Sequence, residues 1–308
     1  MRLLIHLCFI VLLLAAGCGP KKKEQESNTK RDLPEDKPLD IQSFDYQPLK
    51  PINGQLKAVI EVGSLGLNYF IIEIDKDGRW TLEKSFFGRS NIIYGVSSTA
   101  EILAQIESFN KEIRALGVSA KNIHLVASSS VGKLGDTSSL VAELAKSGMK
   151  LIPISADREA ELALIATIPK EFISESFLVD IGSGNTKISW VSNMDTFSIE
   201  THGSKYFLGD VQDTTVFRQV RDALLKVPQK NRNLCFMLGG MIYELTKDEV
   251  KDDERYLVLN PPGEYATTNE RSKAANVIYS AIYLEPTYSY IFDRKSNFSI
   301  GYLISLDK

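Results

Sequence analysis

The sequence is short of histidine and of the motifs that bind metals, and it has no excess of positive charge. Histidine occurs only three times in 308 residues, and His6 sits in an N-terminal apolar run, so no His-rich metal cluster can form. There is no CxxC, no HExxH and no Walker lysine loop, which excludes the thiol-redox, zincin and P-loop chemistries those spacings serve. Positive charge is not in excess either. Lys and Arg number 36 against 39 Asp and Glu, a formal net charge of −3. With no basic patch or basic helix, the chain lacks the electrostatic footprint of a nucleic-acid binder. No internal repeat of short fixed period is visible.

What is present begins with a targeting segment. Arg2 supplies a short positive start, residues 3–16 are almost wholly apolar, and Ala15-Ala16-Gly17-Cys18 closes with small residues before a cysteine. The run is too short for a comfortable transmembrane helix and has the layout of a signal peptide, residues 1–17. Its ending resembles a bacterial lipoprotein lipobox. That resemblance implies cleavage before Cys18, lipid (palmitate among the acyl chains) on its thiol, and a protein held at a membrane outside the cytoplasm, periplasmic or on the cell surface. Cys8 then leaves with the signal and Cys18 is acylated. Cys235 remains alone, so no intrachain disulfide can form. It lies in the apolar run 234–238 and reads as a buried structural thiol.

Residues 18–56 read as a disordered tether. Five of the eleven prolines fall there (Pro20, Pro34, Pro38, Pro48, Pro51), and its charges cancel. Such a composition cannot bury enough apolar surface to fold. A flexible chain of that length reaches on the order of 35 Å. The body from Lys57 to Lys308 is long enough for one large domain or two lobes.

The body is organised around residues 177–190, FLVDIGSGNTKISW. An apolar strand ends in Asp180, a turn carries Gly182, Ser183 and Gly184, and a second strand resumes at once. Glycines let a backbone approach a ligand closely, and successive N–H groups in such a turn form an anion nest. Asn185 and Thr186 add side-chain donors. The pattern also occurs earlier: strand 57–62, small turn 63–66, strand 68–74, with Glu61 at the end of the first strand. Asp75-Lys76-Asp77-Gly78 marks a hairpin to a third strand. Helices and strands then alternate: helix 99–116 capped by Ser97 or Ser98, strand 122–127, helix 138–147, strand 150–154, helix 157–167. The second half gives strands 177–181, 186–191 and 195–201, helix 209–225, strand 234–238 and a further helix after Gly239-Gly240. Two similar halves, each with an acid at a small turn, predict two lobes facing a phosphate across a cleft. Tyr279, Tyr283, Tyr288 and Tyr290 read as core or half-buried packing.

These residues resemble a family, the exopolyphosphatase/guanosine-pentaphosphatase (Ppx/GppA) phosphatases. Asp180–Lys187, DIGSGNTK, is similar to the family's DIGGGST-acid motif. Ile60-Glu61-Val62-Gly63-Ser64 resembles its opening IDIGSNS, and Val126–Ser130 its ATSA segment. Residues 154–160 resemble ISGxEEA, 208–211 PLGxV, and Leu238-Gly239-Gly240 the later GG turn, six segments in the family's order. Residues 298–303 echo its terminal helix entry. The resemblance implies an α/β actin-like ATPase fold of two similar ribonuclease-H-like lobes, 57–168 and 169–308, with a ligand cleft between them. It implies Glu159 as the general base that orients water. Asp180 and Glu61 would lie at a metal site for Mg2+. Gly63, Ser64, Gly182, Ser183, Gly184, Asn185, Thr186, Lys187, Gly239 and Gly240 would hold phosphate. The sequence ends at Lys308 without the helical domain that often follows in that family.

The departures bear on activity. Glu61 stands where the family has aspartate, Leu65 and Gly66 replace two polar residues, and Lys133 stands near an expected arginine. Lys187 replaces a glutamate, and a cation there opposes Mg2+ and weakens its binding. Two readings follow. One is a membrane-tethered phosphohydrolase that cleaves terminal phosphoanhydrides of polyphosphate or a nucleotide polyphosphate by water attack. The other is a degenerate relative that binds a phosphorylated ligand or a protein partner without turnover. A kinase-like reading is weakest, because compartments outside the cytoplasm hold little ATP.

Overall fold

The alternation of apolar residues along each strand sorts the body into layers. The structure, a computed structural model, describes residues 44–63, 66–89, 98–132, 138–249, 254–284 and 287–306. The signal segment, Cys18, the tether up to residue 43, Ser64, Leu65 and Lys133 lie outside the described residues. In chain order the elements are β1 (Gln55–Val62), β2 (Gly66–Ile74), β3 (Trp80–Arg89), α1 (Thr99–Ala115), β4 (Ile123–Ala127), α2 (Ser129–Gly132), α3 (Ser138–Lys146), β5 (Leu151–Pro153) and α4 (Ala156–Thr167). Then follow β6 (Ser176–Ile181), β7 (Asn185–Ser192), β8 (Asp195–His202), α5 (Asp213–Leu224), β9 (Leu234–Leu238), α6 (Gly240–Thr246), β10 (Tyr256–Val258), α7 (Glu270–Ile282), β11 (Ser289–Asp293) and α8 (Phe298–Ser305).

The strands form two sheets, ordered β3-β2-β1-β4-β5 and β10-β11-β9-β6-β7-β8. Each has the same plan: an antiparallel meander (β1-β2-β3; β6-β7-β8) whose first strand pairs in parallel with a later one (β4; β9). Ala58, Ile60, Val62, Leu67, Tyr69 and Ile71 cover one face of the first sheet and pack on α1 and α3. Phe177, Val179, Ile181, Ile188 and Trp190 do the same for the second, against α5, α6 and α7. The opposite faces, Val59, Phe70 and Ile72 from one sheet and Leu178, Phe236 and Ile291 from the other, share a core with α4 and α8. The result is an α/β fold of two similarly planned halves, as the sequence predicts, with two helices sandwiched between the two sheets.

Helix starts follow capping chemistry. Ser98 accepts from the Glu101 N–H, and Glu101 returns a bond to the Ser98 N–H, a complete capping box on α1. Ser155 caps α4 through the Arg158 N–H, and Asp157 and Glu159 sit in its first turn, where the helix dipole favours negative charge.

Three details differ from the sequence reading. The helix expected over 209–225 starts four residues later. Tyr206–Gly209 is a 3-10 turn, and Asp210 is left-handed (φ 54). Tyr206 OH donates to Asp213 Oδ1 at 2.7 Å, pinning the true helix start. The tether also ends earlier than residue 56. Phe44 packs edge-on to Phe236 and Tyr256, the Ile52 N–H donates to Asp75 Oδ2 at 2.9 Å, and Gln55 already lies in β1. Aromatic burial at Phe44 and Tyr46 outweighs the proline-rich composition around them. Of the late tyrosines, Tyr279 and Tyr290 are buried; Tyr290 stacks on the half-buried Tyr283 and Tyr279 meets both edge-on, whereas Tyr288 is exposed. Cys235 is buried, as its apolar run predicts.

Candidate functional site

The period-2 alternation that builds the layers also selects which polar residues face inward. On β1, Val59 and Glu61 share the inward face. On β6, Leu178 and Asp180 do. On β7, Lys187 points opposite to Ile188 and so faces inward as well. Glu61 and Asp180 each occupy the second-last position of a central parallel strand, and Glu159 enters between them from the first turn of α4. Ligands of open α/β sheets bind in the crevice beyond the carboxyl ends of such strands.

Three of these residues are tied together. Lys187 Nζ donates to Glu159 Oε2 at 2.6 Å, with both side chains buried. Ser129, at the N-terminus of α2, donates its hydroxyl to the same oxygen. Glu61 Oε2 accepts from Ser299 Oγ of α8 at 3.0 Å, and the Asn68 side chain also bonds to Glu61. A cavity of about 440 Å3, walled by Ser128, Ser129, Ile154, Ser155 and Ala156, opens beside the start of α4. A larger one, about 570 Å3, lies by the far end of α4 near Trp80 and Arg255 and touches none of these residues.

The two turns are held by backbone. The Gly63 N–H donates to Gly66 O at 2.8 Å, and the Gly182 N–H to Asn185 O at 3.0 Å. The segment 203–205 backs the second turn, with the Ser204 N–H on Gly182 O and the Lys205 N–H on Ser183 O, each at 3.0 Å. A methyl on Gly203 would overlap the Asn185 nitrogen and lie 2.6 Å from Ser183 O, so only glycine fits there. Gly239 (φ 107) presses on the inward acid: a methyl there would lie 2.8 Å from Asp180 Oδ1 and 2.6 Å from Ile181 O.

Burial governs the acids. It pushes the Glu61 carboxyl up to about 7, the Ser299 hydroxyl partly offsets this, and the charges of Glu159 and Asp180 add to it. Burial likewise pushes Asp180 up to about 6, opposed by the Lys187 ammonium and reinforced by Glu159. An acid raised above its unfolded value favours folding at low pH, and that contribution is lost as pH rises through the folded value. Glu61→Gln keeps an acceptor for Ser299 and removes the charging penalty. The variant is expected to match the parent near pH 4 and to exceed it by about 1–3 kcal/mol at pH 8. Urea titrations at the two pH values measure the difference, and equal stabilities at pH 8 would contradict it.

This architecture is found in solved structures. The Aquifex aeolicus PPX-GPPA enzyme matches with a TM-score of 0.63 at 16% identity, over 82% of this chain and 99% of that one. An exopolyphosphatase from Cytophaga hutchinsonii matches with a TM-score of 0.63 at 13% identity, over 82% and 98%. This is the Ppx/GppA fold. No protein-family model matches the sequence, and no curated protein matches it.

Within the Ppx/GppA fold, the sequence-predicted residues do not all come together. Glu61, Glu159, Asp180 and Lys187 converge between the sheets, and Gly239 and the Gly182–Asn185 turn adjoin them. Thr186 does not belong with them. It shares the face of Ile188 and Trp190, and its buried hydroxyl has no partner among the described residues. A methyl on Gly184 or Gly240 would meet open space, so nothing at those positions requires glycine for packing. Ser64 lies outside the described residues. Ser129, Asn68, Ser299 and Gly203 were missed. Only Ser129 carried a signal, as part of a serine run at a strand end.

The buried Lys187 ammonium opposes a resident Mg2+ at these acids. No group of three or more His, Cys, Asp or Glu among the described residues could hold a metal. The one acid on α4 that could contribute is already bonded to an ammonium.

Proposed function

We propose that the protein is a phosphohydrolase cleaving terminal phosphoanhydrides, of polyphosphate or a nucleotide polyphosphate, by direct attack of water in the inter-sheet cleft. The observation that supports this most is the convergence of Glu159, Asp180 and Lys187 beneath the Gly182–Asn185 turn, at the carboxyl ends of the strands. The exopolyphosphatase structures of the same fold point the same way. Phosphoryl transfer needs positioning and charge neutralisation more than covalent chemistry. In this reading the turns of the lobes 57–168 and 169–308 close on the terminal phosphate, and Lys187 neutralises it. Glu159 takes a proton from water as its oxygen bonds to phosphorus and the bridging P–O bond breaks.

The Lys187–Glu159 pair also favours a second reading, that a phosphorylated ligand or partner is bound without turnover, because the base is engaged. Phosphate release from long-chain polyphosphate and from nucleoside tri- and tetraphosphates, with and without Mg2+, separates the two. Turnover above a Glu159→Gln control supports hydrolysis, and binding without release supports the second reading.

We also propose that lipid on Cys18 holds the protein at a membrane outside the cytoplasm. Among the described residues no helix is long and apolar enough to cross a membrane. Cys18→Ala is expected to move the protein from the membrane to the soluble fraction, and retention at the membrane would contradict lipid anchorage.

A further inference from the structure

Lys187 occupies an unusual position for a lysine. It lies on the inward face of β7, two residues after Asn185 where the strand leaves the glycine turn, and is only 6% exposed. Its strand neighbours in register are acids on both sides, Asp180 on β6 and Glu200 on β8. Its ammonium reaches across to a third acid, Glu159 Oε2 at 2.6 Å, which Ser129 also contacts. The contact joins the second sheet to α4. A buried ammonium bonded to Glu159 and interacting with Asp180 repels a divalent cation from these acids.

We propose that Lys187 is the resident cation of the cleft, binding the ligand's terminal phosphate without metal, and that it restrains Glu159 until that phosphate takes the ammonium over. This rests on the reading of the cleft as a phosphate site, but it is independent of turnover. When the cleft is empty, the ammonium and the Ser129 hydroxyl both hold Glu159 Oε2. A phosphate on the turn amides offers Lys187 a more highly charged acceptor. Glu159 then keeps only the hydroxyl, which fixes its rotamer while an oxygen is freed for water. Lys187 is thus a phosphate-binding group and the positioning residue for Glu159.

The test uses the full chain, with Mg2+ alone and inorganic tripolyphosphate alone in EDTA as probes, read by thermal shift and calorimetry. For the parent, millimolar Mg2+ is expected to leave Tm unchanged, while tripolyphosphate in EDTA raises it. Lys187→Met is expected to bind tripolyphosphate about ten- to hundredfold more weakly, the usual effect of losing a charged hydrogen bond. The variant should also gain an Mg2+-dependent rise in Tm, because the carboxylates are then unopposed. If Lys187→Met does not fold, Lys187→Met with Glu159→Gln leaves no unpaired buried charge at that contact and should show the same loss of tripolyphosphate affinity. Mg2+-dependent stabilisation of the parent, or equal tripolyphosphate binding by parent and variant, overturns the proposal. Metal-free binding through Lys187 with no phosphate release leaves the proposal standing and removes the hydrolase reading. Hydrolysis that requires Mg2+ does the reverse.

Discussion

Gly301→Ala is expected to be among the most destabilising single substitutions in the body, though it adds only one methyl group. Gly301 lies in the middle of α8, where that helix crosses α4. A methyl at this position would overlap the carbonyl oxygen of Leu162 and sit 2.6 Å from its carbonyl carbon. Both partners are helix backbone, so no side chain can turn aside to make room. The helices must separate, and the core they share with both sheets (Leu162, Ala163 and Ala166 with Ile300, Leu303 and Ile304) must open with them. Overpacking a well-packed core costs about 1–3 kcal/mol, and more where nothing relaxes. At about 3 kcal/mol, Tm should fall by roughly 6–12 °C for a body of this size. Gly263→Ala, where a methyl meets nothing within 4 Å, is the control and should stay within about 0.5 kcal/mol. The site should suffer too, because α8 carries the Ser299 hydroxyl that bonds to Glu61. An unchanged Tm in Gly301→Ala would mean that the helices do not cross this closely.

The contrast between Gly301 and Asp180 shows what the sequence makes legible. Asp180 follows an apolar strand and precedes a glycine turn, so its neighbours in the chain identify it. The same local grammar marks Glu61, the β6–β7 hairpin and the capped start of α4, because period-2 alternation and capping are short-range physics. The two similar halves follow from the doubled strand–turn–strand pattern, whereas the placing of α4 and α8 between the sheets does not. Gly301 and Ser299 have no such grammar. Their importance comes from a helix crossing and a contact 238 residues away in the chain, and nothing in FSIGYLIS announces either. Lys187 is intermediate. Its place opposite Asp180 follows from the hairpin register, but its reach to Glu159 depends on how α4 lies against the second sheet. Thr186 was misread for a related reason: a residue next to the turn in sequence can face the other side of the sheet, and the turn's exact register decides which.

Glu159→Gln is expected to lower turnover by about 10²–10⁴, the usual scale for a general base. The two side chains have nearly the same shape, and the amide oxygen can still accept from Ser129, so the position of α4 should hold. The change removes a charge from a buried pair. Losing one partner of such a pair commonly costs 3–5 kcal/mol, but here Lys187 retains Asp180 as a neighbouring countercharge, and the loss should be smaller. Stability alone therefore cannot account for a thousandfold fall in rate if the variant remains folded at the assay temperature. The diagnostic is the split between kcat and KM. A lysine no longer engaged by Glu159 is free to meet the ligand's phosphate, so KM should stay level or fall while kcat drops. A variant that merely unfolds would lose active enzyme with KM unchanged and would show a lowered Tm in the same samples. Undiminished turnover would take Glu159 out of the mechanism and leave its pair with Lys187 as a structural contact between α4 and the second sheet.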